Sequence, residues 1–453
     1  MVTLKSLLGS LLLLACVVVA RSSTGDKVLV VLDPSVVKDE YSKFWESLQD
    51  RGFALTFKGP KDESAELVRY GQQQFDHLIM FAPSAKSFAS PLSPQNVLSS
   101  QLTSLNTLYI LSPSLSDLQR DTFREYDVEF VDRDNYLLDA FSHLSSKSPS
   151  TVLLHPSSSL VASPILSAST LSGGPIVYPS GTVHTLGLNP YLIDVLHASK
   201  TSYVGDESGS PEEGSRKGEV LSGKTAGLVS AMQTRENVRI GWIGSGGMLS
   251  DEWWGVKVDG VETGNAGFIQ DLSKWIFQET GVVKVISSTH HKLGETEPRE
   301  LYRIKDDLTY SLTLAQHTTT SNGTSDWVPV SLEDLQLDFT MLDPYVRTAL
   351  PEDKSISSPD STTYTANFQA PDRHGVFKFV VEYWRPGWSY IRSSTTASVT
   401  PFRHDDYARF IVGAWPYYTA AISISGAFLL FVSIWVGLGE GGSASAKGKK
   451  KAE

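Results

Sequence analysis

The stretch Lys27-Val-Leu-Val-Val-Leu-Asp33, followed by Pro34, decides the fold prediction. A short unbroken run of β-branched and aliphatic residues that ends at a turn signal is typical of a strand buried on both faces. A helical pattern follows at 42–48, and further short apolar runs recur along the chain, at 53–57, 75–81, 107–111, 151–154 and 237–243. Strands that alternate with helical segments predict βαβ units and a mostly parallel sheet, as in a doubly wound, flavodoxin-like α/β domain.

Two segments break this alternation. Residues 142–172 are rich in serine and proline, and residues 205–218 have almost no apolar content, which predicts a flexible surface excursion. Regular structure resumes at 237–243, and apolar residues at helical spacing over 265–280 predict an amphipathic helix closed by Gly281.

The pattern changes after residue 284. Short alternating or β-branched runs are separated by turn residues, at 310–314, 336–341, 362–370, 376–384 and 394–402. Several short strands at this spacing indicate an antiparallel β-sandwich. We therefore predict an α/β domain over 21–283 and a β-sandwich domain over 284–410.

The N-terminal end predicts a signal peptide over residues 1–20. Lys5 precedes an almost unbroken apolar run at 7–20, and small Ala20 marks a cleavage point. The run is too short for a membrane span of ordinary length. The alternative is a buried N-terminal helix or strand.

The C-terminal end predicts one transmembrane helix region over 411–439, which contains no charged residue. Its most apolar part, 417–438, would span about 33 Å as a helix, which matches one bilayer crossing. A core helix of a soluble domain is the alternative. Lysines in the tail 440–453 favour a cytosolic tail and a lumenal bulk, hence a type I orientation. Lys450 and Lys451 near the end fit a di-lysine signal for retrieval to the endoplasmic reticulum, although such lysines can also be a plain topological marker.

Composition excludes several classes of function. The chain carries 39 Lys and Arg against 50 Asp and Glu, an acidic balance that disfavours nucleic-acid binding. The only cysteine, Cys16, lies in the predicted signal peptide, so the mature chain has no thiol nucleophile and no cysteine-based zinc site. The sequon Asn322-Gly-Thr324 lies in a polar stretch and predicts N-glycosylation at Asn322.

No motif establishes a catalytic, cofactor-binding or metal-binding residue. Gly244-Ser-Gly-Gly follows a predicted strand but lacks the spacing of a nucleotide loop, so a tight strand-to-helix turn is favoured. The rings of His290-His291 should diverge, which disfavours a shared metal. Asp306-Asp307 is predicted to be a turn. His404-Asp405-Asp406 is predicted to be a solvated acidic collar, with headgroups, a divalent ion or a neighbouring subunit as alternative contacts.

Within the predicted span, Ala421, Ser425 and Gly426 place small side chains about four residues apart. Small residues let helices approach closely, so this face predicts packing against a partner helix. Plain lipid exposure is the alternative.

Long passages carry a resemblance to a known family. They are Gly244-Ser-Gly-Gly-Met-Leu-Ser-Asp251, Trp275-Ile-Phe-Gln-Glu-Thr-Gly281, Leu335-Gln-Leu-Asp-Phe-Thr-Met-Leu-Asp-Pro-Tyr-Val-Arg347, Pro371-Asp-Arg-His-Gly-Val-Phe-Lys-Phe379, and Pro401-Phe-Arg-His-Asp-Asp-Tyr-Ala-Arg-Phe410 leading into Trp415-Pro-Tyr-Tyr418. These passages resemble the 48 kDa (Wbp-type) subunits of the eukaryotic oligosaccharyltransferase. The N-terminal half agrees in its domain type and in its opening strand.

The resemblance implies membership of the endoplasmic-reticulum membrane complex that transfers a preassembled oligosaccharide from dolichyl diphosphate to Asn in Asn-x-Ser/Thr of nascent chains. It implies an amidotransferase-like α/β domain and a non-catalytic role without a cofactor, because the divalent metal belongs to the multi-spanning catalytic subunit. Implied partners are that subunit, ribophorin-like subunits and small membrane subunits, with the dolichyl-linked glycan or the nascent chain as further contacts. The alternatives are a stand-alone, membrane-anchored lumenal glycan-processing enzyme and a cargo receptor of the early secretory pathway.

Overall fold

The computed structural model describes residues 22–144, 148–161, 164–206, 221–258, 261–319, 325–407 and 409–441. The predicted signal peptide, Asn322, Lys450 and Lys451 lie outside the described residues, as does most of the 205–218 segment.

A mixed sheet forms the first domain. Its nine strands are β1 (Lys27–Leu32), β2 (Ala54–Lys58), β3 (His77–Phe81), β4 (Asn106–Ile110), β5 (Val128–Phe130), β6 (His184–Leu186), β7 (Leu192–His197), β8 (Gly227–Gln233) and β9 (Arg239–Ile243). The strand order is β2-β1-β3-β4-β9-β8-β6-β5, and β7 also pairs with β8. The first five strands in this order are mutually parallel.

The prediction of a mostly parallel sheet is wrong for the other half of this domain. Strands β5, β6, β7 and β8 join the sheet through antiparallel pairings. Five residues, 234–238, connect β8 to β9. Such a short loop can join only neighbouring antiparallel strands, whereas a parallel pair needs a long crossover.

Helices cover both faces of the sheet. They are α1 (Ser42–Asp50), α2 (Pro94–Gln101), α3 (Asp117–Arg124) and α4 (Asn265–Ile276). Alternate residues of β1 point to opposite faces, so Val28 and Val30 share a core with α1 and α4. Leu29 and Val31 share the other core with α2 and α3. The predicted double burial of β1 is therefore confirmed.

Smaller elements lie outside this sheet. The predicted strand at 151–154 forms, as Thr151–Leu154, but it pairs with Ile176–Pro179 and not with the large sheet. Helix α4 also ends earlier than predicted, because Gln278 already takes a positive φ of 58°, before Gly281 at 70°. The remaining short elements are the strand pairs Val68–Arg69 with Gln72–Gln73, Tyr136–Leu138 with Tyr203–Gly205 and Lys257–Val258 with Val261–Glu262, the helices Pro156–Ser159 and Ala168–Leu171, and the 3-10 turns Lys38–Tyr41, Ser90–Leu92, Gly223–Thr225 and Gly246–Leu249.

A strand-rich domain follows. Its strands are β10 (Val283–Lys292), β11 (Leu301–Arg303), β12 (Asp307–Thr319), β13 (Ser325–Val328), β14 (Gln336–Thr340), β15 (Pro344–Ala349), β16 (Thr362–Gln369), β17 (Gly375–Tyr383) and β18 (Ile391–Thr400). One sheet has the order β10-β12-β13, with β16 also paired to β12, and the other has the order β11-β18-β17-β14-β15. The two sheets share one core, in which Tyr310 of β12 stacks on Phe379 of β17 at 5.4 Å.

One long helix, α5 (Trp415–Gly441), follows the strand-rich domain after a 3-10 turn at Val412–Ala414. The segment Val412–Leu438 is the one stretch of the described chain that is long and apolar enough to cross a membrane. None of its most apolar window is buried against the rest of the described chain. A soluble core helix would be buried, so this exposure favours a membrane span.

Candidate functional site

The Gly244 loop lies at the carboxyl end of β9, where a phosphate loop would be placed in this kind of sheet. Two of its backbone amides bond within the domain: Gly244 N donates to Leu228 O at 3.0 Å, and Gly246 N donates to Leu111 O at 2.8 Å. The Ser245 hydroxyl, which is buried, donates to Pro179 O at 2.5 Å. The loop therefore binds its own protein, as the prediction of a tight turn requires.

Close packing explains the glycines of this loop. A Cβ at position 246 would approach the ring of Phe81 to 2.8 Å, and one at position 247 would approach Pro179 to 2.7 Å. Distances below 3.0 Å are not tolerated without movement of a neighbour. The absence of a Cβ at these two glycines lets the loop pack closely against Phe81 and Pro179. Packing alone therefore explains the glycines, without a bound pyrophosphate.

A buried carboxylate lies at the carboxyl end of β1, on the same edge of the sheet as this loop but three strands away. Asp33 accepts hydrogen bonds from the hydroxyl groups of Ser84 and Ser35. Burial by itself would raise the pKa of Asp33, but these hydrogen bonds outweigh burial and hold the pKa below its usual value. A carboxylate stabilised in its charged form accepts hydrogen bonds well but is a poor proton donor at neutral pH.

The predicted histidine and aspartate candidates have structural partners. His290 Nδ1 lies 2.8 Å from the Tyr302 hydroxyl, and its ring stacks on Phe379 at 4.5 Å. His291 Nδ1 lies 3.1 Å from Lys292 O, so the two rings make separate contacts, as predicted. Asp306 lies at the predicted turn and forms an ion pair of 2.5 Å with Lys292, but the prediction is wrong for Asp307, which already begins β12.

The prediction of a solvated acidic collar is wrong for Asp406. Its carboxylate forms an ion pair of 2.7 Å with Arg303 of β11 and also accepts from the Arg403 amide at 3.1 Å. An ion pair that joins residues a hundred positions apart becomes visible only when the chain is folded. Within the described ranges, no group of three or more His, Cys, Asp or Glu side chains is placed to hold a metal ion.

Many hydrogen bonds join the two domains at a contact that sequence patterns did not reveal. The loop between β17 and β18 inserts its backbone into the first domain. Trp275 Nε1 donates to Gly387 O at 2.9 Å, and Gln233 Nε2 donates to Trp388 O at 2.7 Å. Asn237 bonds the backbone of Tyr390 twice, at 3.1 and 2.6 Å.

Arg239 lies at the centre of this junction and is fully buried. Its guanidinium donates to Trp275 O, Thr280 O and Gly281 O at 2.7, 2.6 and 2.8 Å. These carbonyls belong to the end of α4 and to the connection that leaves it, where a cation is stabilised by the helix dipole. Burial lowers the pKa of Arg239. The only signal in the sequence was a charged residue inside an otherwise apolar strand.

A groove of about 700 Å³ lies beside the hairpin at 68–73 and helix α2. Its lining includes Glu63, Glu66, Asn96, Ser90 and Ser99. These groups can hydrogen-bond to a polar ligand, but the lining has no histidine or cysteine that would pair a nucleophile with a base. The groove therefore fits binding better than covalent catalysis.

The predicted partner face of the span lies on α5. Ala421, Ser425 and Gly426 are exposed in the structure, and a Cβ at position 426 would meet nothing within 4 Å. The Ser425 hydroxyl donates to Ala421 O at 2.8 Å, within its own helix. The face is therefore smooth and carries no hydroxyl in need of a partner.

Comparison with known proteins matches both domains to one family. Residues 19–279 match the family model described as OST48, N-terminal domain, and residues 290–438 match the OST48 middle domain. The chain is 31% identical to the "Dolichyl-diphosphooligosaccharide--protein glycosyltransferase 48 kDa subunit" of Danio rerio, over 95% of this chain and 96% of the relative. It is 33% identical to the 48 kDa subunit of Arabidopsis thaliana, over 91% and 93% of the two chains. It is also 33% identical to subunit wbp1 of Schizosaccharomyces pombe, over 90% and 91%. The chain therefore belongs to the family of 48 kDa subunits of dolichyl-diphosphooligosaccharide–protein glycosyltransferase.

Proposed function

We propose that this chain is a non-catalytic subunit of the oligosaccharyltransferase complex, which transfers a preassembled oligosaccharide from dolichyl diphosphate to Asn of Asn-x-Ser/Thr in nascent proteins. The observation that carries the proposal is the family match through both domains and the span, with relatives of nearly equal length. Its roles are assembly of the complex and positioning of substrates.

The site geometry supports a non-catalytic role. The buried carboxylates Asp33 and Asp139 accept hydrogen bonds from serine and threonine hydroxyl groups that belong to the fold, and buried Glu279 forms an ion pair with Arg51. The divalent metal is assigned to the multi-spanning catalytic subunit and not to this chain. Ribophorin-like and small membrane subunits are the other proposed partners, with the dolichyl-linked glycan or the nascent chain as further contacts.

Affinity purification from a mild detergent extract tests the subunit role. We expect a multi-spanning glycosyltransferase to co-purify in stoichiometric amount, and depletion of this chain to yield underglycosylated secretory proteins. If the chain purifies alone and turns over a glycan substrate, it is a stand-alone glycan-processing enzyme. If it cycles to the Golgi without a stable complex, it is a cargo receptor.

We infer a single-pass type I topology in the endoplasmic-reticulum membrane, with both domains lumenal, after removal of the signal peptide at 1–20. The sequon at Asn322 and the lysines Lys450 and Lys451 allow this topology to be tested. Asn322 should carry a glycan that an endoglycosidase removes, and replacement of Asn322 by Gln should abolish the mass shift. Replacement of Lys450 and Lys451 by Ser should let a reporter with this tail reach the cell surface; continued retention would remove the retrieval role of the tail.

We further infer that Ala421, Ser425 and Gly426 contact a partner helix, since small side chains allow close approach of backbones. Replacement of Ser425 and Gly426 by Leu should reduce recovery of partner subunits. Replacement of Ala427 by Leu and Ile434 by Phe is the matched control for added bulk, because at 3.6 residues per turn both positions lie on the opposite side of α5. Equal recovery from all three proteins would contradict the inference.

The finer fold class is also an inference. The parallel strands have the order β2-β1-β3-β4-β9, which corresponds to the 2-1-3-4-5 order of flavodoxin-like domains. The two sheets of the second domain share a core between them, as in a β-sandwich. An experimental structure in which the connections between these strands differ would overturn this classification.

A further inference from the structure

The strand-rich domain has two ends with different neighbours. At one end, β10 begins at Val283, immediately after the first domain, and Val282 O accepts from His317 N at 2.8 Å. At the other end, β18 finishes at Thr400 and the chain leaves toward α5. We call these the docking end and the exit end.

Three turns surround Thr400 at the exit end. The turn at 304–306 is held by Ile304 N, which donates to Thr400 O at 2.9 Å. The turn at 371–374 precedes Gly375, which pairs with Val399. The turn at 341–343 is adjacent, because a Cβ at Gly375 would lie 2.6 Å from Met341 Sδ. All three turns therefore face the side from which α5 emerges.

The connection between the exit end and the apolar segment is short. The Arg303–Asp406 ion pair of 2.7 Å still holds Asp406 to the domain. The candidate span begins at Val412, six residues later. Six extended residues reach at most about 20 Å. The 13-residue strand β12 is about 40 Å long, so the exit end is the part of the domain nearest the membrane.

Exposed apolar side chains lie on the turns of this end. Leu342 is 92% exposed at the tip of the β14–β15 hairpin. Leu293 is 55% exposed just beyond β10, and its amide donates to Asp307 O at 2.9 Å. Single exposed leucines are ordinary on a protein surface, and these two are distinguished by their place at the end from which the span leaves, where the interface of a bilayer favours apolar side chains.

The exit end carries both signs of charge, since the exposed arginines Arg373, Arg403 and Arg409 are accompanied by the exposed aspartates Asp307, Asp343 and Asp405, and further charges form ion pairs. Lys292 pairs with Asp306 at 2.5 Å, Arg299 with Glu295 at 2.6 Å, and Lys305 with Asp372 at 3.1 Å, in addition to the Arg303–Asp406 pair. A surface on which both signs of charge occur in similar number offers no purely basic patch to anionic lipid. It suits zwitterionic headgroups, which also present both signs.

We propose that the exit end of the strand-rich domain rests on the bilayer that α5 crosses, with Leu342 and Leu293 in the zwitterionic headgroup layer. The contact would fix the height and tilt of both domains above the membrane, because the docking end is bonded to the first domain. This proposal rests on the membrane span and does not depend on the subunit role.

Single-cysteine labelling of the full chain tests the contact. The natural Cys16 is replaced by Ser, and Leu342→Cys and Leu293→Cys variants carry an environment-sensitive fluorophore. Ile356→Cys is the matched control, because Ile356 is 61% exposed on the same domain, in the loop that precedes β16 at the docking end. Each protein is reconstituted alone in phosphatidylcholine vesicles that contain a headgroup-labelled nitroxide lipid.

We expect the nitroxide lipid to quench the labels at 342 and 293 roughly twofold or more above the label at 356. Anionic lipid or added salt should leave the quenching unchanged. Equal quenching at all three positions would overturn the proposal. Quenching that requires anionic lipid would overturn the zwitterionic contact. If the labels at 342 and 293 are shielded only in the purified complex and are not quenched in vesicles, the end contacts a protein and the proposal fails. If affinity purification of the chain recovers no other subunits, the proposed subunit role fails, but quenching in vesicles would still support the membrane contact.

Discussion

Replacement of His184 by Leu should make the first domain less sensitive to acid. His184 lies on β6, is fully buried and packs against the ring of Phe130 at 4.9 Å. Neither ring nitrogen has a hydrogen-bond partner within the described part of the chain. Burial disfavours the charged ring and lowers its pKa from 6.5 to about 3.

The direction of the effect follows from proton uptake. Below pH 6.5 the unfolded chain binds a proton at His184 that the folded chain does not bind until about pH 3. The free energy of unfolding therefore has its full value, as far as His184 is concerned, above pH 6.5, and it decreases as the pH falls below 6.5. The decrease is about 1.4 kcal/mol per pH unit, or about 2 kcal/mol between pH 7.5 and 5.0.

Thermal unfolding of the full chain in detergent, followed by tryptophan fluorescence at pH 7.5 and 5.0, measures this loss. About 2 kcal/mol corresponds to a difference of roughly 4–8 °C in Tm for a domain of this size. The Leu variant should lack that part of the acid-induced decrease. At pH 7.5 it should be at least as stable as the parent, because two unpaired ring nitrogens have been removed.

Two comparisons make the test specific. Phe130→Leu disturbs packing against the same ring but retains the titrating group, so its difference between pH 7.5 and 5.0 should equal that of the parent. His77, whose pKa burial lowers to about 4, should account for part of the acid sensitivity that remains in His184→Leu. An unchanged difference between the two pH values in His184→Leu would refute the reasoning.

The remaining predictions concern buried contacts. Glu279→Gln should destabilise the chain by about 3–5 kcal/mol, because it removes the negative charge from a buried ion pair of 2.6 Å with Arg51; a decrease in Tm equivalent to less than 1 kcal/mol would contradict this. Gly281→Ala should loosen the domain contact and increase proteolysis there, because its φ of 70° is strained for alanine and the new Cβ would strike Gly387 O. Gly294→Ala is the control, because its φ of 89° is strained in the same way but its Cβ would meet no atom within 4 Å. An effect seen only in Gly281→Ala is therefore due to the lost contact and not to backbone strain. Asp139→Asn should lower the free energy of unfolding at pH 7 by about 1–3 kcal/mol, measured by urea unfolding. The charged carboxylate accepts hydrogen bonds from three hydroxyl groups and two amides, and these bonds outweigh burial and lower the pKa of Asp139 to about 2. An unchanged free energy of unfolding at pH 7 would contradict the prediction.

Much of the architecture could be predicted from local pattern. The runs at 27–33, 53–57, 75–81 and 107–111 each form a strand within one or two residues of the predicted limits. Such runs are decisive because a strand buried on both faces needs continuous apolar side chains. The strand Thr151–Leu154 was recognised for the same reason, but no local signal states which strand it pairs with.

The domain junction could not be predicted because its bonds join distant segments. Arg239, the end of α4 and the loop after β17 meet only after both domains have formed. Most of these bonds end on backbone carbonyl groups, which every residue possesses, so side-chain chemistry leaves no pattern to recognise. A single arginine inside an apolar strand was the visible trace.

By itself, the sequence determined that buried strands alternating with helices are followed by a region of short alternating strands. It also determined the apolar C-terminal segment, the absence of cysteine after Cys16 and the passages that resemble the family. Each of these features depends on residues that are close together in the chain. Only the tertiary structure decided the mixed direction of the first sheet, the ion pair that holds Asp406 and the end of the strand-rich domain from which α5 leaves. These features depend on which distant segments meet. Which segments come into contact depends on loop lengths, on strand register and on how the apolar side chains of the whole chain are buried together. No short stretch of residues carries that information.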